Sequence, residues 1–372
     1  MTTYLRPQLK ARSNAPKVIV AIQYLRGIAA LMVVWHHATI QIPGMSAYLP
    51  WDFGTSGVDL FFVISGFIMV VTTAGTSITP AQFWWRRIAR VVPIYWLLTL
   101  LMVCVALSAP SLFKSLRLEP LKLMQSLLFI PHFSASFPGF AWPVLVPGWT
   151  LNFEMFFYAI FGASFFLPAQ IRLFAVGIAF VTLIAIGVFF GPFDSAIAQT
   201  YTSPMLVEFV AGALIGARWA KGGWRIEWGV SLTMVCVGAA LLVLRDREPL
   251  GQFAQAAGAA LVVVGALDPR ISAWNSRVLE AVGDSSYSLY LTHIFTLGIL
   301  RVAFGKLVPY APTATTVSAF MLLALTICAV VGWVTFRWFE APLSRRLSLT
   351  LRGKSPPQIV KSLKAPTSVS DA

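Results

Sequence analysis

Of 372 residues, 58% are hydrophobic and 11% charged, far below the roughly 25% charged residues of a soluble domain. Apolar runs of membrane-spanning length recur along most of the chain, which excludes a water-soluble protein and indicates an all-α, polytopic membrane helical bundle. The formal net charge of +14, from 28 Lys and Arg against 14 Asp and Glu, does not indicate nucleic acid. Much of the basic excess sits in tails and short connections, where it orients a chain in a membrane.

In chain order, the tail over 1–17 is basic (Arg6, Lys10, Arg12, Lys17) and has no small-x-small cleavage site. It is expected to stay in the cytoplasm, with no removable signal peptide. The first span is expected over 18–40 and the second, returning, over 54–74. The densest basic cluster near the membrane follows, with Arg86, Arg87 and Arg90 at the inner face, and then a span over 91–109. Residues 110–148 are rich in Pro and Gly, and LKLMQSLLFI is too short to cross comfortably. They read as an outer-face loop with an interfacial or re-entrant helix, which leaves Lys114, Arg117 and Lys122 outside, against the charge bias. Further spans are expected over 149–168, 173–191, 204–219, 228–244, 250–267, 285–304 and 314–336, with a charge-balanced RDRE turn between 244 and 250. About ten transmembrane helices with both termini cytoplasmic satisfy the bias almost everywhere. The membrane domain then covers 18–345, and 346–372 is a basic tail whose Ser/Pro/Lys-rich end has the composition of a disordered segment. The three cysteines, Cys104, Cys236 and Cys328, lack metal-ligand spacing and read as buried small apolar residues. No internal repeat is visible, which weakens an inverted-repeat transporter.

The chemistry is concentrated in Tyr24 to Ala38, YLRGIAALMVVWHHA. On a helix, Arg26 and His37 lie within ~20° of one face and about 16 Å apart along the axis, whereas His36 falls ~80° away. Ionisable groups inside a spanning helix are costly and face a protein interior or a wet cavity. His37 is therefore a candidate general base, oriented or charged by Asp59 or Glu154, which sit in the first turns of spans expected to begin outside. Both carboxylates also have a plain alternative as residues stabilised at helix N-termini. Arg86 and Arg90 share a helix face with Arg87 beside them; they suit phosphates of a cytoplasmic donor, and serve equally as a topology signal. In GDSSYSLYLTHIF, Ser286, Tyr290 and His293 fall on one helix side, expected in the inner half. His293 is either a hydrogen-bonding residue of a donor channel or an interhelix contact.

The spacing of Arg26 and His37, the GVDLFFVISGF stretch, the RRxxR run at Arg86, Arg87 and Arg90, PGWTLNFEMFFY and GDSSYSLYLTH together resemble the acyltransferase-3 family of integral membrane O-acyltransferases, most of all bacterial exopolysaccharide O-acetyltransferases. Five such stretches in one order, over about residues 20–345, make the likeness specific. Many relatives carry WSLxxE where this chain has WTLNFE; Glu154 still matches. The resemblance implies a multi-pass protein of the bacterial plasma (inner) membrane with a ten-helix core. It implies transfer of an acyl group, usually acetyl, from cytoplasmic acyl-CoA to a sugar hydroxyl of a surface or exported polysaccharide or its lipid-linked precursor. It gives His37 the catalytic role, with Arg26 in the same motif and Glu154 kept, and puts Arg86, Arg87 and Arg90 near the CoA phosphates; Asp59 joins the candidate catalytic residues, and Tyr290 and His293 the candidate donor-binding residues, on the reading of the residues alone, and acyl-CoA is a substrate, with no resident cofactor or metal. A flippase for a lipid-linked saccharide, or a non-catalytic partner in polysaccharide assembly, shares the polytopic body and the intramembrane charges.

Overall fold

The computed structural model describes residues 17–49, 53–110, 116–224, 226–243, 249–307 and 313–349. Lys114, the RDRE turn, the tail before Lys17 and the tail beyond Leu349 lie outside them. Among the described residues there are helices and turns and no strand.

Helix α1 (Lys17–Thr39) is followed by α2 (Ser56–Thr73) and by α3 (Pro80–Ser108). Thr79 caps α3 through a reciprocal capping box with Gln82, and Pro80 occupies its first turn; both fix a helix start before the apolar run begins. The arginine cluster therefore lies within the helix itself, below the apolar part. The short α4 (Pro120–Leu127) precedes a loop over 128–147. Then come α5 (Gly148–Ala163), α6 (Ala169–Phe190), α7 (Ala196–Tyr201), α8 (Leu206–Ala220), α9 (Trp228–Val243) and α10 (Pro249–Ala266). The short α11 (Pro269–Ser272) and α12 (Arg277–Asp284) lead into α13 (Ser286–Leu307). Finally α14 (Ala314–Thr335) passes through a π-helical turn, Phe336–Glu340, into α15 (Ala341–Leu349).

Each expected span corresponds to a helix, but five segments among the described residues are long and apolar enough to cross a membrane: Ser56–Thr73, Pro80–Ser108, Ala169–Phe190, Ser286–Lys306 and Ala314–Leu347. Trp228–Val243 and Gly251–Ala266 are shorter apolar helices. Helix α1 carries Gln23, Arg26, His36 and His37 among 23 otherwise mostly apolar residues. With 16 and 15 residues, α5 and α8 reach only about 24 and 22 Å, less than the ~30 Å hydrocarbon core.

Helix α1, which carries Arg26 and two histidines, is largely enclosed. Ile22, Leu25 and Ala29 of α1 pack into a core with α2 and α10. Ala30, Val34 and Ala38 pack into a second core with α13 and α14. Val33 joins a third, aromatic-rich core built by α2, α3, α5, α6 and α8. The cysteines depart from expectation. Cys328 is buried, whereas Cys104 and Cys236 are exposed on the outside of the bundle, because in a membrane protein the lipid-facing surface is as apolar as the core and periodicity does not separate the two.

Helices α2 and α8 touch backbone to backbone. A Cβ on Gly66 would fall 2.1 Å from the Phe209 carbonyl oxygen, and one on Gly212 would fall 1.9 Å from that of Val63. Small residues at such crossings let helices approach closely and gain dispersion contacts. Replacement Gly212→Leu is expected to cost about 3 kcal/mol or more through overpacking and to lower the thermal unfolding midpoint in detergent. Replacement Gly298→Ala, where nothing lies within 4 Å of the added carbon, should leave that midpoint unchanged or slightly raised.

Candidate active site

A cavity of about 80 Å³ opens between α1, α2, α3, α5 and α13. Its polar wall is Arg26, Arg90, Thr150, Glu154, Ser286, Tyr287 and Tyr290; its apolar wall includes Val58, Phe61, Phe62 and Leu151. The Ser286 hydroxyl is buried without a hydrogen-bond partner among the described residues, an orphan polar group in a lined cavity.

Arg26 is 9% exposed and donates from Nη1 to Gln23 Oε1 at 3.0 Å; Gln23 Nε2 in turn donates to Asp284 at 3.0 Å. Arg90, Glu340, Glu154 and Asp284 all act electrostatically on its guanidinium. Glu340 is buried and accepts from Ser288 at 2.6 Å. The π-helical turn carries it there; the extra residue in such a turn redirects side chains and is frequent at functional sites.

Glu154 accepts hydrogen bonds from the Tyr158 hydroxyl and, at 3.2 Å, from Ser65. Arg87 lies over the rings of Tyr158 and Phe83 at 5.7 and 5.5 Å, a cation–π arrangement. Arg86 is exposed and does not line the cavity. So one carboxylate meets two arginines of the cluster, and the third faces outward. Depth counting from the sequence put Glu154 with the histidine rather than with the arginines. It failed because α5 starts inside the bundle: Gly148 is buried against Tyr95, and Gly162 against Trp84. In that antiparallel register Glu154 stands level with Arg90.

His37 does not line the cavity. Its Nδ1 is 2.9 Å from the Val33 carbonyl, and since a carbonyl only accepts, Nδ1 carries the hydrogen and Nε2 the lone pair. Its ring centroid is 4.8 Å from that of His293 and 4.9 Å from that of His36. The sequence placed His37 and His293 in opposite halves by assuming that their spans start at one level. Helix α1 begins well before that level: Gly27 abuts Gly283, and each histidine lies ten residues further along its own parallel segment. Tyr290 joins the two zones, its ring 5.9 Å from that of His293 and its hydroxyl 2.9 Å from Thr150 and 3.1 Å from the Pro147 carbonyl.

Asp59, 6% exposed, is not in the cavity wall. It faces Glu208 across the contact of α2 with α8, and Glu208 carried no sequence signal beyond its place in an apolar run. His132 holds the loop over 128–147 together by contacts to the Ile130 carbonyl and to Ser126. Burial moves its pKa below the ordinary histidine range, opposed by the Ile130 contact and aided by Lys122. Among the described residues no group of three His, Cys, Asp or Glu could hold a metal ion.

The architecture can thus bind an anionic group against Arg26 and Arg90 and present the imidazole of His37 about three turns further along α1. The comparisons agree with that chemistry. An acyltransferase domain model matches residues 19–333. The chain is 39% identical over 297 residues, 79% of its length and 90% of the relative's, to exopolysaccharide production protein ExoZ of Rhizobium meliloti (strain 1021). It is 26% identical over 328 residues to acyltransferase MdmB of Streptomyces mycarofaciens, covering 79% and 82% of the two chains. It is 22% identical over 373 residues to O-acetyltransferase OatA of Staphylococcus aureus (strain NCTC 8325 / PS 47), covering 89% of this chain and 58% of that one. No solved structure matches. The chain belongs to the acyltransferase-3 family and is a multi-pass membrane O-acyltransferase.

Proposed function

We propose that the enzyme moves an acyl group, in the first instance acetyl, from cytoplasmic acyl-CoA to a sugar hydroxyl of a surface or exported polysaccharide or of its lipid-linked precursor, with His37 as general base. The observation that carries this reading is the joint placing of Arg26, Arg90 and Tyr290 in one cavity wall, with the His293 ring 5.9 Å from that of Tyr290 and the His37 ring 4.8 Å from that of His293. The acceptor class follows the printed names of the relatives, one of them an exopolysaccharide production protein and another an O-acetyltransferase.

The roles follow from charge and placement. Acyl-CoA is anionic, and guanidinium forks match phosphate oxygens. Arg90 with Arg26 at the cavity, Arg87 behind them and Arg86 on the exposed side offer a cationic path for the donor. The positive-inside bias puts that path at the cytoplasmic face of an inner membrane, with about ten spans and both termini inside. The Val33 carbonyl holds His37 as the tautomer whose Nε2 can accept the acceptor's hydroxyl proton. The hydroxyl oxygen then attacks the acyl carbonyl. Glu154, fixed by Tyr158 and Ser65, balances the arginines when the cavity is empty. Asp59 adds negative charge on the α2 side. Tyr290 and Ser286 line the donor's way in.

Replacement His37→Ala is expected to lower kcat by roughly 10²–10⁴-fold while the protein stays inserted and monodisperse. Mass spectrometry of surface polysaccharide from cells carrying the variant should find polymer made but unacylated; full acylation by a well-expressed variant would remove His37 from the chemistry. Replacement Arg90→Ala should raise KM for the donor about tenfold, the equivalent of ~1.4 kcal/mol, and Arg86→Ala by a smaller factor. Equal effects, or none, in a donor titration would sink the assignment of Arg90 to the donor.

A further inference from the structure

One end of the loop over 128–147 meets the cavity wall. The Pro147 carbonyl accepts from the Tyr290 hydroxyl at 3.1 Å, and Thr150 bonds the same hydroxyl at 2.9 Å. Helix α4, which feeds the loop, is tied to the half of α3 that leads away from the arginine cluster: the carbonyls of Ser126 and Leu127 accept from Tyr95 and Trp96. The tip of the loop carries three aromatic rings. Phe140 stacks on Trp142 with centroids 4.3 Å and planes 25° apart, and Phe137 meets Trp142 edge-on at 5.4 Å.

These rings are fixed in place yet open to the outside. Phe140 is 51% exposed and Phe137 36%. Gly139, at φ +85°, turns the chain between them, and the Ser134 N–H donates to the Phe140 carbonyl at 2.8 Å. Ser134 Oγ accepts from the backbone of Ser136 and of Phe137, each at 3.2 Å. A cation stands beside them: Arg117 is exposed, and its N–H donates to Ser136 Oγ at 2.9 Å. Arg117 and Lys122 lie on the face where the charge bias disfavours Lys and Arg, and Glu119, between them in sequence, offsets only one of the two. An interfacial belt is built from Trp and Tyr at span ends. Here two of the three rings are Phe, which has no polar edge to place among headgroups, and they sit in a loop.

We propose that Phe137, Phe140 and Trp142 with Arg117 form the docking platform for the acceptor, and that the acceptor is an anionic saccharide. This rests on the reading of the chain as an O-acyltransferase acting on a sugar. The C–H faces of a sugar ring gain dispersion contact against flat aromatic rings, while its hydroxyls stay in water. A carboxylate or phosphate on the saccharide meets the Arg117 guanidinium in a charge-assisted pair. Trp142 is five residues from Pro147, at most about 18 Å of extended chain, so a short oligosaccharide spans the interval from the platform to the Tyr290 wall.

The test uses the full-length protein in nanodiscs with acetyl-CoA as donor. The acceptor probe is oligosaccharide released from the producing cells' own surface polysaccharide and stripped of O-acetyl groups by mild base. Phe140→Ala and Trp142→Ala should each raise KM for the oligosaccharide about tenfold, with kcat and KM for acetyl-CoA within about twofold of the parent values. Arg117→Gln should raise the same KM about tenfold at low salt and much less at high salt, where the parent's own binding weakens. Saturation-transfer NMR reads binding without transfer: the parent should pass saturation to the sugar protons, and the two aromatic variants should not. If Phe140→Ala does not fold, Phe140→Leu, which keeps the apolar bulk and loses the flat face, decides in its place. Parent-like acceptor KM in both aromatic variants overturns the platform. So does a lowered unfolding midpoint with unchanged saccharide binding, which would make the rings a lipid belt. Salt-independent binding, or a parent-like Arg117→Gln, overturns the anionic acceptor. The two readings separate: a parent that binds the oligosaccharide through these rings but transfers no acetyl supports the platform and defeats the acyl-transfer reading, whereas transfer with parent-like aromatic variants defeats only the platform.

Discussion

The structure is organised by the need to keep one guanidinium and three imidazoles out of lipid. A charged group in hydrocarbon is costly, and the cost falls only when the group finds protein partners or water. Helix α1 carries Arg26, His36 and His37, and it occupies the middle of the bundle with cores against α2 and α10, α13 and α14, and the aromatic group around α5. The groups around Arg26 come from separate parts of the chain: Glu154 from α5, Asp284 from α12, Glu340 from the π-helical turn and Arg90 from α3. None of these elements is placed by its own sequence alone. Each is held where it can complete the electrostatic surroundings of a residue on α1.

The cavity follows from the same constraint. Aromatic side chains of α2, α5 and α8 pack against one another in the stack of Phe62, Phe209 and Phe157. Where the polar groups of α1, α3, α5 and α13 converge, they cannot pack as densely without leaving donors and acceptors unpaired. The space left there is lined by Arg26, Arg90, Glu154 and Ser286. A site at the meeting of polar faces is thus the counterpart of a tightly packed apolar surround.

Much of this was legible in the sequence. The helical class follows from apolar runs, and a helix needs no alignment to put Arg26 and His37 on one face. Asp59, Glu154, Arg90 and Tyr290 stood out as polar residues in apolar surroundings, and Arg90, Glu154 and Tyr290 do meet Arg26 in one cavity wall. What the sequence did not carry was register between helices. Counting residues from the start of each span assumes that all spans start at the same depth, which α5 violates by starting at Gly148 beside Tyr95, and α1 by starting below the level of α13. The same gap hid Glu208 opposite Asp59, and Glu340 under the arginines. A π-helical turn has no signature in composition, and an acidic residue near a basic tail reads first as its surface partner.

Register is set by glycines rather than by the residues that do chemistry. A Cβ on Gly283 would lie 2.0 Å from the Gln23 carbonyl oxygen, and Gly27 meets the Gly283 backbone from the other side. That contact pins α12, and α13 behind it, to α1 at one height. Ten residues further along, the same height brings the His293 ring to within 4.8 Å of the His37 ring. A side chain at Gly283 would push the two segments apart near Arg26 and open the imidazole pair without altering either histidine. The distance on which the base and its neighbour depend is therefore fixed some 15 Å away, at ~1.5 Å per residue, by two residues that have no side chain at all.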